Sequence, residues 1–212
     1  AYYYSRIDRL DYNNDTATAV VRGYDVVKRR GYGAVGNQNF GYLVGGYETP
    51  GTGGDGYRST ISRIDYSNDN VATTPKGPLN AVSGYSAATG NANYGYAQNC
   101  TYNARLTSID RIDYANDTAT ATAKGPLAAN NYKRAATGSS SYGYWIGGYS
   151  PSFGDNTLIS RIDYANDTPT ASPKGNLSTQ VSDAASCSGR EMGLPSSPVA
   201  SSIIPATQIE NG

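Results

Sequence analysis

The string Arg63-Ile64-Asp65-Tyr66 recurs as Arg111–Tyr114 and Arg161–Tyr164, and as Arg9-Leu10-Asp11-Tyr12 near the start. The four tyrosines stand 54, 48 and 50 residues apart. Each is followed ten residues later by a basic residue and a glycine: Arg22-Gly23, Lys76-Gly77, Lys124-Gly125 and Lys174-Gly175. A period of about 50 residues marks a solenoid, propeller or array, because one such unit cannot bury its apolar face alone. Repeats of this kind more often build extended binding or structural surfaces than active sites.

Composition narrows the chemistry. Lys+Arg and Asp+Glu balance at 17 each in 212 residues, which leaves no electrostatic footprint for nucleic acid or an anionic membrane. Twenty tyrosines and abundant Thr favour pleated sheet over helix. There is no His, so the commonest metal ligand and general base is missing, and a Ser-His-Asp triad cannot form. No pair of acids stands out, no glycine-rich stretch precedes a helix with a phosphate-loop lysine, and no cofactor or metal is expected. Cys100 and Cys187 lack a Cys-x-x-Cys spacing; a disulfide and two small buried thiols both fit them. No run of 18 apolar residues occurs, so no membrane-spanning helix is expected. A start at Ala1, inside a repeat, reads as a processed chain or a piece of a longer one.

The unit from Ala135 to Leu177 reads as four short strands. Ala135–Gly138 is the first, and the aromatic run Tyr142–Gly148, closed by a glycine pair, is the second. Leu158–Tyr164 is the third; alternation puts Ile162 and Tyr164 on one face, Arg161 and Asp163 on the other. Ala165-Asn166-Asp167 is turn chemistry, Thr168–Ser172 the fourth strand, and Pro173-Lys174-Gly175 its end. Four strands per period with turns between them describe a propeller blade. Phe40–Gly46 and Tyr94–Cys100 align with Tyr142–Gly148, Asn99 and Cys100 replacing the glycine pair.

Length variation falls in the loop between the second and third strands, as in a constant scaffold that presents one variable surface. In propeller order this loop shares a face with the one joining the fourth strand to the next unit. The expected ligand or partner face therefore holds Tyr47, Asp55, Tyr57, Tyr102, Arg105, Tyr149, Phe153 and Asp155. Aromatic rings beside Asn, Asp and Ser suit sugars; scattered surface tyrosine is the plainer reading. Tyr12, Tyr66, Tyr114 and Tyr164 are expected in the core, with hydroxyls bonded between units. The Arg/Asp pairs two apart on the third strand read as a ladder locking each unit to the next, or as a charged ring round a channel. The Asn-Asp-Thr triplets read as hairpin turns, calcium ligands, or glycosylation sequons at Asn14, Asn116 and Asn166, with others at Asn99 and Asn176.

A Gly-Gly pair ending the second strand, a Tyr on the third, a short turn, a fourth strand and a Pro/Leu exit resemble the kelch repeat, from about Tyr2 to Leu177. The pattern departs where kelch units carry a Trp six residues after that Tyr; here stand Thr18, Ala72, Thr120 and Thr170. The fuller string Arg-Ile-Asp-Tyr-x-Asn-Asp-Thr-x-Thr, then Lys-Gly-Pro-Leu, is similar to a repeat of tail-associated or virion structural proteins of marine tailed bacteriophages. The resemblance implies an all-β, kelch-like β-propeller of about four blades, with no catalytic residues carried over. It covers a partial blade at 1–22, full blades at 31–76, 85–124 and 134–174, and a closing strand at 183–192 that includes Ala184–Cys187. That strand would pair with the N-terminal strands and remove exposed edges. Residues 193–212 form a Ser/Pro-rich tail without the repeat. The implied role is a non-enzymatic extracellular or virion component, oligomeric with other virion or assembly proteins, that binds a cell-surface glycan. The alternatives are a purely architectural subunit and a carbohydrate-active enzyme on the same scaffold.

Overall fold

The computed structural model describes residues 5–48, 56–101, 106–150 and 152–187. These are all β apart from two single-turn 3-10 helices, Tyr66–Asn68 and Tyr114–Asn116. The first unit contributes β1 (Arg6–Arg9) and β2 (Val20–Tyr24), a two-stranded antiparallel sheet. After the short β3 (Arg29–Arg30), the second unit runs through β4 (Gly33–Gly36) and β5 (Phe40–Val44). It then makes a side excursion through β6 (Tyr47–Glu48) and β7 (Gly56–Tyr57), and returns as β8 (Ile61–Asp65) and β9 (Thr74–Lys76). The third unit is β10 (Ala88–Gly90), β11 (Tyr94–Gln98), β12 (Ile109–Asp113) and β13 (Thr122–Lys124). The fourth is β14 (Ala135–Gly138), β15 (Tyr142–Ile146), β16 (Tyr149–Ser150), β17 (Gly154–Asp163) and β18 (Ser172–Val181). Units two to four are antiparallel meanders, and β10 lies between β4 and β14.

Both faces of each inner sheet are apolar, so the core lies between units. Tyr42, Val44, Ile61 and Leu79 of unit two pack on Ala97, Ile112, Tyr114 and Ala121 of unit three. Tyr96, Ile109 and Leu127 of unit three repeat the pattern against Trp145, Ile162, Tyr164 and Ala171 of unit four. Tyr42 stacks on Tyr114 at 4.9 Å and Tyr96 on Tyr164 at 4.8 Å. Each stack is worth about 0.5–1.5 kcal/mol beyond its burial.

Polar contacts follow the same period. Asp117 accepts from three groups of unit two: the Tyr42 hydroxyl (3.0 Å), Arg63 (2.8 Å) and Lys76 (3.1 Å). Asp167 accepts from Tyr96 (2.9 Å), Arg111 (2.8 Å) and Lys124 (3.1 Å) of unit three. Asp69 takes Arg9 (2.9 Å) and Arg22 (3.6 Å) of unit one. Backbone bonds reinforce each joint: Gly77 N donates to Asp117 O, and Gly125 N to Asp167 O. A Cβ at Gly125 would stand 1.9 Å from Pro169 O, so the close approach requires the glycine of the basic-Gly pair.

Several expectations need correction. Arg9, Arg63 and Arg111 do lock their units to the next, but onto the Asp of the next unit's Asn-Asp turn. The Asp two residues on caps its own turn instead: Asp65 accepts from Ser67 N, Asp113 from Ala115 N and Asp163 from Ala165 N. The fourth strand of unit four is Ser172–Val181 rather than Thr168–Ser172. Residues before it are taken by the joint, where Ala171 N donates to Pro126 O. Pro173 and Lys174 thus lie within the strand, on the outer edge of the sheet where a proline is tolerated. Of the four repeated tyrosines, Tyr114 (8% exposed) and Tyr164 are buried, but Tyr66 is 50% and Tyr12 81% exposed. A preceding unit's second-strand tyrosine covers the first two, and among the described residues no such tyrosine stacks on the others. The Tyr164 hydroxyl bonds to Gly90 O of unit three at 3.3 Å, whereas that of Tyr114 has no partner. No disulfide joins the two cysteines; Cys100 is buried and Cys187 exposed. Ala184–Cys187 is not in a strand; Ser186 Oγ donates to Ala136 O. Residues 188–212, with the rest of the closing strand and the tail, lie outside the described residues.

The joint has a pH signature. Burial pushes the Asp167 carboxyl up, but Lys124, Tyr96 and Arg111 outweigh it and hold the group below the usual carboxylate range. A depressed folded value means its stabilisation is complete above the unfolded value of about 4 and is lost as pH falls through the folded one. Asp167→Asn is expected to cost about 3 kcal/mol at pH 7, with the gap to wild type narrowing as pH falls below about 4. Urea unfolding at pH 7 and in the acid range checks this.

Candidate functional site

The second-to-third and fourth-to-first loops meet on one face, as the meander order requires. In unit two they form a three-stranded sheet, β3–β6–β7. Ser83 bridges Arg58, and Tyr132 bridges Tyr149, in the same sense further along. Arg29 pins this face to the sheet beneath. It is buried, pairs with Asp25 at 2.9 Å, and donates to Gly45 O, Thr60 O, Leu43 O and Ser62 Oγ. Burial lowers the Arg29 pKa, and the Asp25 carboxylate opposes the shift. Glu48 is engaged by Arg58.

Aromatic rings line this face. Tyr47 and Tyr57 meet edge to face at 5.3 Å, with the Arg30 guanidinium over Tyr47 at 5.2 Å. Tyr57 lies against Gly84, next to Tyr85. Tyr85 approaches Tyr132 at 6.1 Å, and Tyr132 meets Tyr149 at 5.5 Å. Lys133 stands over Tyr85 at 5.9 Å and is bonded to Asp183 at 2.6 Å, which raises its pKa. Rings, two cations and backbone polar groups can stack on a flat apolar partner and hydrogen-bond its edges.

Of the expected site residues, the structure joins Tyr47 to Tyr57, and places Tyr149 opposite Asp155 in the β16–β17 hairpin. Phe153, in the turn of that hairpin, is 84% exposed. Asp55, Tyr102 and Arg105 lie outside the described residues. Arg30, Tyr85 and Tyr132 also belong here; the sequence places their loops, Tyr24–Arg30, Asn80–Tyr85 and Ala128–Lys133, on this face without singling out the three residues. Their signal was available: all three fall in fourth-to-first loops that share the face.

Unit three differs beneath this surface. Where units two and four have Ser62 and Ser160, it has the buried Asp110. Asp110 Oδ2 accepts from Asn80 N at 2.6 Å, and Gln98 Nε2 donates to Asn131 O at 2.6 Å. These side chains tie β12 and β11 of this unit to the fourth-to-first loops around Asn80 and Asn131. Burial pushes the Asp110 carboxyl up, with Asn99 and the Asn80 and Ala81 amides partly offsetting it. A raised folded value makes the ionised form costly at neutral pH, a cost relieved as pH falls through that value. Asp110→Asn is therefore expected to stabilise the fold at pH 7, with the gain vanishing below about pH 4; thermal unfolding across pH measures it.

Among the described residues no cluster of three His, Cys, Asp or Glu could hold a metal ion. No helix there is long and apolar enough to cross a membrane, which says nothing of a strand barrel. No protein-family model matches the chain, and no curated protein matches it.

Proposed function

We propose that the chain is a non-enzymatic, kelch-like β-propeller of about four blades, part of an extracellular or virion assembly, whose loop face binds a cell-surface glycan. Two groups of rings carry this reading: Tyr47 with Tyr57, and Tyr85 with Tyr149 packed on the buried Tyr132. Rigid tyrosines with few rotatable bonds lose little entropy on binding, and the cations over them add polar contacts. Several acids support a non-enzymatic role, because they are already committed. Asp117 and Asp167 serve the joints, Asp65, Asp113 and Asp163 cap turns, and Glu48 holds Arg58. Balanced charge argues against nucleic acid as the partner. The virion setting rests on the similarity of the repeat string alone.

A purely architectural subunit is favoured by one observation. Unit four presents Tyr144, Arg161 and Lys174, the donors that Asp117 and Asp167 receive elsewhere, with no acid bonded to them among the described residues. A glycan array separates the two readings, run with the full chain, Phe153→Ala and a variant lacking residues 52–56. The binding reading predicts a defined set of glycans, with at least a roughly ten-fold loss in one variant and unchanged thermal unfolding. Silence from a folded sample supports the architectural subunit. Binding of a neighbouring particle protein instead would keep the face and change the ligand.

A further inference from the structure

Each joint has two halves, and the chain carries one spare of each. The donor half is the side a unit turns to its successor: the second-strand tyrosine, the third-strand arginine and the basic-Gly pair. In unit four these are Tyr144, Arg161, Lys174 and Gly175, held as their counterparts are. Arg161 lies opposite Tyr144 as Arg111 lies opposite Tyr96, and its guanidinium stands 4.3 Å over the Tyr142 ring, as Arg63 does over Phe40. Among the described residues no acid is bonded to the three side chains. A Cβ on Gly77 would stand 2.0 Å from Ala119 O of the next unit, and one on Gly125 1.9 Å from Pro169 O. On Gly175 it would meet none of the described atoms within 4 Å.

The acceptor half is the side a unit turns to its predecessor: the Asp of the Asn-Asp turn and the apolar residues of the third strand. Unit one has this half too. Asp15 follows Tyr12 by three residues, as Asp117 follows Tyr114 and Asp167 follows Tyr164. Asp15, Leu10 and Tyr12 are all exposed, whereas Ile112 and Tyr114, the counterparts of the last two, are buried against unit two. The turn already has the shape it takes in a closed joint. Ala17 N donates to Asn14 O at 3.3 Å, as Ala119 N does to Asn116 O at 3.3 Å. Asp11 caps it by accepting from Asn13 N, as Asp113 accepts from Ala115 N.

We propose that unit four of one copy docks on unit one of a second copy, with Asp15 of the second receiving Tyr144, Arg161 and Lys174 of the first. Tyr12 then stacks on Tyr144, as Tyr114 stacks on Tyr42, and the carbonyl of Ala17 approaches Gly175. The two halves match in charge, in apolar surface and in the space left at the glycine, and within one chain they do not meet among the described residues. A second copy brings the missing half of each. The surfaces differ, so the contact is heterologous: every copy that joins leaves one half of each kind open, and copies add head to tail, into a ring or a filament. Units four and one are then successive units supplied by different chains. The inference goes beyond the proposed function; it rests on the joints between units one to four and makes no use of the loop face.

Sedimentation of the full chain tests it, with two charge reversals, Asp15→Arg and Lys174→Glu. The unaltered chain is expected to associate as its concentration rises, and each variant alone at least roughly ten-fold more weakly. An equal mixture of the two variants restores one native joint per pair, so 1:1 complexes should form. A chain that stays monomeric at every concentration overturns the proposal; if each reversal then also lowers the thermal unfolding temperature, the joint is made within one chain. Association that neither reversal weakens overturns it as well, since another surface is then in contact. Gly175→Val decides the matter if a reversal fails to fold. Its side chain enters open space in the single copy but blocks the carbonyl of Ala17, so unfolding should be unchanged and association lost; intact association overturns the proposal. Glycan binding is read separately: assembly with a silent array rejects the glycan reading alone, and a glycan-binding monomer rejects this joint alone.

Discussion

A buried carboxylate at each of two joints organises this chain. Asp117 and Asp167 each collect a phenol, a guanidinium and an ammonium from the preceding unit, while the adjoining backbone closes on a glycine. A charge held at that depth needs its partners, and removing one leaves the rest uncompensated. The carboxylate therefore specifies which surfaces meet and in what register, more than it adds net stability. Apolar packing of Tyr42 on Tyr114 and of Tyr96 on Tyr164 supplies the area around it.

The same arrangement explains why the scaffold can vary one surface freely. The joints use the turn after the third strand and the segment around the fourth. The second-to-third loops lie elsewhere, and in unit two Arg29 ties them to the sheet through four acceptors besides Asp25. Loop length can change without touching a joint. Unit three shows another solution, with Asn99 and Cys100 in place of the glycine pair and Asp110 in place of the serine.

Much of this was legible in the residues. The alternation in Arg-Ile-Asp-Tyr placed Ile162 and Tyr164 in the core, and the bounds of the first strand, Ala135–Gly138, follow from its small residues and glycine. The fourth strand was not legible, because Thr168–Ser172 has no apolar alternation and part of it is spent on hydrogen bonds to the neighbour. The partner of each arginine was hidden as well. An Asp two residues away on the same strand invites pairing, whereas the true partner of Arg111 is 56 residues on. Tyr12 and Tyr66 were misplaced because a repeat predicts an average unit, and burial depends on which neighbour is present. At the loop face, meander order foretold which loops meet; that Tyr85 and Tyr132 would join the row depended on their approach in space.

A double-mutant cycle in the full chain tests the central claim most directly, comparing Arg111–Asp167 with Arg111–Asp113. Chemical unfolding of the single and double alanine variants should give a coupling of about 1–3 kcal/mol for the first pair and under about 0.5 for the second. Equal couplings, or a larger one for Arg111–Asp113, would contradict the account and return the arginine to its own strand.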